Sequence, residues 1–225
     1  MSSRAPAAAP SLAIFDLDGT ITRHDTLFPY LFGFARRHPR RWAGLWRIPP
    51  ALLAYAIRSH DRGLLKSQVI RAVMQGESRS TLDAWSERFV RELEPRGAFH
   101  AAGLAAIAAH RRAGDHLVLL SASPDLYVPR IGALLGFERT MCTEVRWDEE
   151  RLVGTLTSAN RRGLEKVRCL QTLRAQYPNL PVIAYGNSAA DLPHLRLAER
   201  AVLVNGGRRL RREAQALGIA LESWD

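Results

Sequence analysis

The chain has 225 residues, enough to bury a core without disulfides or a structural metal. With 47% hydrophobic and 24% charged residues it has the composition of a soluble globular protein, which excludes wholesale disorder and a fibrous class. Its net charge is +10, and of its 32 basic residues only Lys66 and Lys166 are lysine, so anionic partners such as nucleic acid, lipid or phosphate compounds come under consideration.

Residues 1–10 are rich in Ala and Pro and lack the unbroken apolar run of a signal peptide, so they read as a frayed tail on a cytoplasmic protein. Leu12 to Leu17 is a short apolar run stopped by Asp18-Gly19-Thr20, which predicts a buried strand ending in a loop. The same grammar returns at His116 to Leu120, at Pro181 to Tyr185 and at Ala201 to Val204, each followed by small polar residues. Helical stretches lie between them at Ala101–Ala113, Asp125–Leu135, Leu164–Tyr177 and Asp191–Ala198. This alternation predicts an α/β core with a parallel sheet covered by helices on both faces. Residues 28–98 break the rhythm with four helical stretches, Phe28–Arg37, Arg41–Ile57, Leu64–Met74 and Thr81–Leu93, and read as a helical insertion. The core is then 11–27 and 99–225. Residues 140–157 alternate around Asp148-Glu149-Glu150 and predict a β-hairpin. Cys142 and Cys169 have no partners at metal spacing, and no window is apolar enough to span a membrane.

Four polar groups fall at predicted strand ends or helix starts. Asp16 and Asp18 stand at i and i+2 and face the same way, followed by Gly19 and Thr20. Two such carboxylates can hold a divalent cation, or divide nucleophilic and proton-transfer work at phosphorus. Ser121 offers a hydroxyl, Lys166 a compact cation, and Gly186-Asn187-Ser188-Ala189-Ala190-Asp191 a tight turn with an amide and a carboxylate. Where arginine replaces nearly every lysine, a surviving lysine points to a need for a point charge.

In this order and spacing the four groups resemble the motifs of the haloacid dehalogenase superfamily, in its phosphoserine-phosphatase-like branch. The resemblance covers residues 12–205 and implies a Rossmann-like parallel-sheet core with an inserted all-helical cap over 28–98. It implies a phosphatase acting on a phosphomonoester. Asp16 would attack phosphorus and form an aspartyl-phosphate, and Asp18 would protonate the leaving alkoxide and then activate water. Thr20, Ser121 and Lys166 would bind the phosphoryl group. Mg²⁺ would be held by Asp16, the Asp18 main-chain carbonyl, Asn187 and Asp191. Superfamily ATPases and dehalogenases lack an acid at the place of Asp18, so that residue implies phosphoester hydrolysis, or phosphotransfer to another alcohol. Asn187 stands where the family carries Asp, so the site gives up one negative charge while keeping a hard oxygen donor.

The insertion bears on the substrate. By the same resemblance Asp25, nine positions after Asp16, would meet a substrate amine; it would equally serve to cap the first helix of the insertion. Residues 28–76 hold nine basic residues against the single acid Asp61, so they carry +8 of the net +10. Phe28, Tyr30, Phe32, Phe34, Trp42, Trp46, Leu52, Leu53 and Tyr55 are interleaved. That mixture suits either an aromatic cap core with solvated arginines or an interfacial helix facing anionic lipid. The segment also resembles the cap of phosphatidylglycerophosphate phosphatases in the same superfamily. The expected partner is therefore a small phosphomonoester or a lipid phosphate, with the latter implying peripheral contact at the inner membrane surface through residues 28–76. No helix-turn-helix, RNA-recognition signature or zinc finger is present, so nucleic acid is not expected.

Overall fold

The computed structural model describes residues 9–55 and 61–224. The tail expected over 1–10 lies outside them except for Ala9 and Pro10, and Ile57 and Arg58 also lie outside. Six parallel strands form the sheet: β1 (Leu12–Phe15), β2 (His116–Pro124), β3 (Arg139–Thr143), β6 (Val182–Gly186), β7 (Arg200–Val204) and β8 (Ala220–Glu222), in the order β3-β2-β1-β6-β7-β8. Such a sheet needs both faces covered, which explains why β1 is buried at all four residues. Along it, Ala13 and Phe15 join one core, and Leu12 and Ile14 join the other. The second core is closed by Cys169, Leu170 and Leu173 of α8 (Leu164–Gln176) and by Leu192 and Leu195 of α9 (Leu192–Leu195). Below the sheet edge, α10 (Arg208–Ala216) turns its arginines to solvent and buries Ala214.

Between β1 and β2 come α1 (Leu27–Arg37), α2 (Trp42–Leu45), α3 (Ile48–Ala54), α4 (Arg62–Met74), α5 (Arg79–Leu93) and α6 (Ala101–Ala113). The single helix predicted over Arg41–Ile57 is not one helix. A 3₁₀ turn at Pro39–Arg41 leads into α2, and α3 restarts with Pro49 and Pro50 in its first turn. Prolines have no N–H to donate to the preceding turn, so the first turn of a new helix is where they fit. Both short helices rest on α4. Gly44 sits so close to the Ala72 carbonyl that a Cβ would collide with it.

The aromatic residues of this segment divide. Tyr30 and Phe34 are fully buried with Trp85 and Phe89, and Tyr30 packs on Tyr127 at 4.5 Å between ring centroids. Trp42, Trp46, Leu52 and Leu53 face outward, with Trp46 82% exposed. In the stretch 42–53 Ile48 and Ala51 are buried, whereas Trp42, Ala43, Trp46, Arg47, Pro49, Pro50, Leu52 and Leu53 are exposed. The chain there is apolar on both sides, and only one side is covered. Among the described residues no helix is long and apolar enough to cross a membrane.

Three further expectations are corrected. The hairpin is β4 (Val145–Asp148) with β5 (Arg151–Leu156), while residues 139–143 belong to the parallel sheet beside β2. Alternation alone does not distinguish a hairpin arm from a sheet-edge strand, and here the partner strand decided. The hairpin grips the turn between α4 and α5 through Gly76 N–H to Leu152 O and Leu152 N–H to Glu77 O. Strand β2 does not stop at Leu120 but runs through Ser121 to Pro124, with a register irregularity between Leu120 and Pro124. Helices α7 (Val128–Leu135) and α9 are shorter than predicted, and β8 was not predicted at all.

Candidate active site

Strand β1 lies at the centre of the sheet with β2 on one side and β6 on the other, so the crossovers leave it in opposite directions. The crevice beyond the strand ends at such a switch point is where parallel α/β sheets bind ligands. Asp16 follows β1 directly, and its N–H donates to Tyr185 O of β6 at 3.0 Å. Asn187 follows β6 directly, and Lys166 is the third residue of α8.

Three buried charges meet there. Lys166 Nζ donates to Asp16 Oδ1 and to Asp191 Oδ1, both at 2.6 Å. Thr20 Oγ1 donates to Asp16 Oδ2 at 3.0 Å. One ammonium between two carboxylates leaves a net negative charge out of water. Burial, opposed by Lys166 and reinforced by Asp191, pushes the Asp16 carboxyl up to about 7. Burial raises Asp191 too, but Lys166 and hydrogen bonds outweigh it and hold that carboxyl well below the usual range. Burial alone would discharge Lys166, yet Asp16 and Asp191 hold it above its ordinary value, so it stays an ammonium.

Asp191 also accepts from Asn187 N–H at 3.3 Å, Ser188 N–H at 3.0 Å and Ser188 Oγ at 2.7 Å, all on Oδ2. Three donors share Oδ2, while Lys166 alone is bonded to Oδ1 and leaves one lone-pair position there open. Asp191 thus ties the 186–191 turn to the lysine.

Asp18 is held by three donors. Its Oδ1 accepts from Thr26 N–H at 2.8 Å and Thr26 Oγ1 at 2.6 Å, and its Oδ2 accepts from Ser123 Oγ at 2.6 Å. Thr26 Oγ1 in turn meets Tyr127 OH at 2.8 Å. Burial, then the nearby Asp25, raises the Asp18 carboxyl above its ordinary value, so this acid is easier to keep protonated than a solvated one. Ser121 is placed differently from expectation. It is fully buried, its Oγ accepts from Ser123 N–H at 3.0 Å, and the cavity wall is formed by Ala122 and Ser123. Asp25 stands at the start of α1 and at the cavity. Its Oδ1 accepts from Leu27 N–H at 2.9 Å at the start of α1, and the residue lines the cavity.

That cavity has a volume of ≈ 660 Å³ and opens between the strand ends and helices α1 and α4. Asp16, Asp18, Lys166, Asn187 and Asp191 line its floor, and Leu27, Phe28, Tyr55, Leu65 and Val69 supply apolar wall. The reading of the sequence missed Ser123, Thr26 and Lys66. The scarcity of lysine, applied to Lys66 as it was to Lys166, would have found the last.

Among the described residues no cluster of three or more acidic, histidine or cysteine side chains is placed to hold a metal. A cation at Asp16 would therefore rely on neutral oxygens as well. The residues present fit that use. The Asn187 amide lies against the backbone of Gly19, where a Cβ would collide with its Nδ2, and Gly19 has φ +80°. This closeness brings a carboxylate, an amide and the Asp18–Gly19 backbone to one place. All three are hard oxygen donors of the kind Mg²⁺ takes, and the uncompensated charge at Asp16 favours a cation.

Residues 13–196 match the model of the family described as haloacid dehalogenase-like hydrolase. The chain is 31% identical over 191 residues to Protein CicA of Caulobacter vibrioides, an alignment covering 84% of each chain. It is 33% identical over 120 residues to a probable phosphatase of Mycobacterium tuberculosis, covering 52% of this chain and 42% of that protein. Its fold matches the crystal structure of a probable phosphoserine phosphatase from Vibrio cholerae with a TM-score of 0.71 at 13% identity, covering 96% of this chain and 62% of that one.

Proposed function

The chain belongs to the haloacid dehalogenase-like hydrolases, and on that premise we propose that it is a Mg²⁺-dependent phosphatase that hydrolyses a phosphomonoester through an aspartyl-phosphate. The single observation that carries this reading is the pair of 2.6 Å bonds from Lys166 to Asp16 and Asp191 at the cavity floor. They hold two buried carboxylates around one fixed cation, and Asp18, whose carboxyl burial raises, lines the same floor. The name of the mycobacterial relative, a probable phosphatase, agrees with it.

In this reading Asp16 forms a bond to phosphorus as the ester P–O bond breaks, and Asp18 gives its proton to the departing alkoxide. Water then attacks the same phosphorus, Asp18 takes back a proton, and the Asp16–phosphorus bond breaks to release inorganic phosphate. Thr20 orients Asp16, and Lys166 faces the phosphoryl oxygens as their charge rearranges. Thr26 and Ser123 aim the acid, since they hold both oxygens of Asp18. Asp16, the Asp18 carbonyl and Asn187 would hold Mg²⁺, with Asp191 anchoring the turn. When bound, the metal would neutralise the carboxylate and phosphoryl charge brought together there.

Hydrolysis of an aryl phosphate that requires Mg²⁺ and stops with a chelator is the expected result, and its absence would refute the reading. In the same assay Asn187→Asp restores one negative charge and is expected to lower the half-saturating Mg²⁺ concentration several-fold. An unchanged Mg²⁺ dependence would remove Asn187 from the ligand set.

The outward face of α2 and α3 favours a second reading for the substrate, a lipid phosphate met at an anionic membrane surface. From residue 26 to 60 the sequence has six arginines and no acid, and the exposed side of 42–53 is Trp, Leu and Pro around Arg47. Exposed tryptophan beside arginine is what an interfacial segment offers to anionic headgroups. Flotation with phosphatidylglycerol vesicles at low salt is expected to carry the protein, and Trp46→Ala with Leu53→Ala to release it. No flotation would discard this reading.

A further inference from the structure

Both lysines of the chain reach the same cavity. Lys166 is accounted for by Asp16 and Asp191. Lys66 is not. It stands on α4, in the helical segment, and reaches across to the core side of the crevice. Its Nζ donates to the Ala122 carbonyl and, at 2.7 Å, to Asn160 Oδ1. Both acceptors are neutral. A lysine placed there without a carboxylate partner is an unusual use of the chain's scarcest cation.

It has company. Arg62 lies one turn earlier on α4, at i−4, and lines the same cavity. Arg162 enters from the segment before α8, two residues after Asn160, and lines it too. Among the described residues no carboxylate lies within ion-pair distance of Arg62, Lys66 or Arg162. Burial, with Asp18 and Asp25 opposing it from further away, pushes Lys66 down to about 8. Burial and then Arg62 lower Arg162 from its ordinary value. Three cations thus converge from two elements onto one cavity wall and repel one another.

The reacting phosphoryl group does not need them, because Lys166 and the cation site at Asp16 already serve it. The cavity is also larger than one phosphate requires and lies within the range of pockets that hold whole small molecules. We propose that Lys66, Arg62 and Arg162 form a subsite for a second anionic group on the alcohol portion of the substrate, so that the preferred substrate is a phosphomonoester bearing a further carboxylate or phosphate. The guanidinium groups offer planar forks for such an anion and Lys66 a movable point charge. Lys66 would exchange its two neutral acceptors for the anion. This inference rests on the phosphatase reading for turnover, and on binding alone it can be tested separately.

The test compares kcat/KM for matched pairs: 3-phosphoglycerate against glycerol 3-phosphate for a carboxylate, and fructose 1,6-bisphosphate against fructose 6-phosphate for a phosphate. The anionic member of at least one pair is expected to be favoured tenfold or more, and the pair that shows it identifies the group. Lys66→Gln and, as an independent variant, Arg162→Gln are each expected to reduce that preference about tenfold through KM, with Lys66→Arg keeping most of it. No preference in either pair overturns the proposal. So does an equal loss on both members, which would place Lys66 at the phosphoryl group. Should no ester be turned over, the phosphatase reading fails, and the subsite is judged by calorimetry with the same four compounds. There, tighter binding of the anionic members, lost in Lys66→Gln, upholds it, and equal binding overturns it.

Discussion

Asp16→Asn is expected to abolish phosphatase activity, by on the order of 10³-fold or more, because an amide cannot serve as the nucleophile of a covalent path. Near-wild-type turnover in this variant would refute the assigned nucleophile. The same substitution is expected to leave the fold intact and to make it more stable at alkaline pH. In the metal-free protein the Asp16 carboxyl is pushed from 3.8 to about 7 by burial. Between those values the folded chain keeps a proton that the unfolded chain has lost. Stability therefore falls as pH rises through that window. Asparagine carries no charge to bury, and Lys166 keeps Asp191 as a partner at 2.6 Å. Melting temperatures measured with chelator at pH 5 and pH 8 should converge at the lower pH and favour the variant at the higher.

Lys166→Met is expected to damage both activity and stability. The ammonium is 2% exposed and is the common partner of two carboxylate oxygens, each 2.6 Å away. Methionine keeps the apolar stem but leaves Asp16 and Asp191 facing each other without a cation. Removing one member of a buried charge cluster costs about 3–5 kcal/mol, and loss of a fixed charge from a phosphoryl site costs about 10²–10³-fold in rate. Urea denaturation should show a deficit at pH 8 that shrinks toward pH 5, as Asp16 takes up a proton and the repulsion fades. A deficit that does not depend on pH would mean that Lys166 acts through packing alone.

These two residues were also the most legible. The Asp16–Thr20 run ends an apolar strand, and in a parallel α/β sheet a strand end is an address: it places a side chain in the crevice without any knowledge of its neighbours. The turn at Gly186–Asp191 was readable for the same reason. Ser121 shows the limit of that logic. The apolar run stops before it, but the strand continues to Pro124, and the register irregularity there leaves Ser123 on the cavity wall and Ser121 beneath it. Whether a strand continues is decided by its neighbours, here β1 and β3, and that information is not local. The helix boundary at Arg47–Pro50 was local, and the paired prolines announce it.

The fate of the basic, aromatic segment was undecidable from its composition. Its apolar residues divide: Tyr30 and Phe34 close a core with Trp85, Phe89 and Tyr127, whereas Trp42, Trp46, Leu52 and Leu53 remain outside. Residues at helical spacing share a face, but the sequence does not say which face meets α4.

What the sequence by itself determined was the class of fold and the candidate carriers of chemistry. Periodicity, strand-stopping residues and a few polar groups at strand ends follow from rules that act over a handful of positions. Tertiary structure alone decided what those carriers face. It closed Lys166 onto Asp16 across 150 residues, laid Ser123 on Asp18 across 105 and brought Lys66 from a separate helical segment to Asn160. Charge compensation depends on distance through space, so it could not be read along the chain. The +10 net charge was visible from the start; its unpaired share in the cavity emerged only after folding had assigned each cation a neighbour.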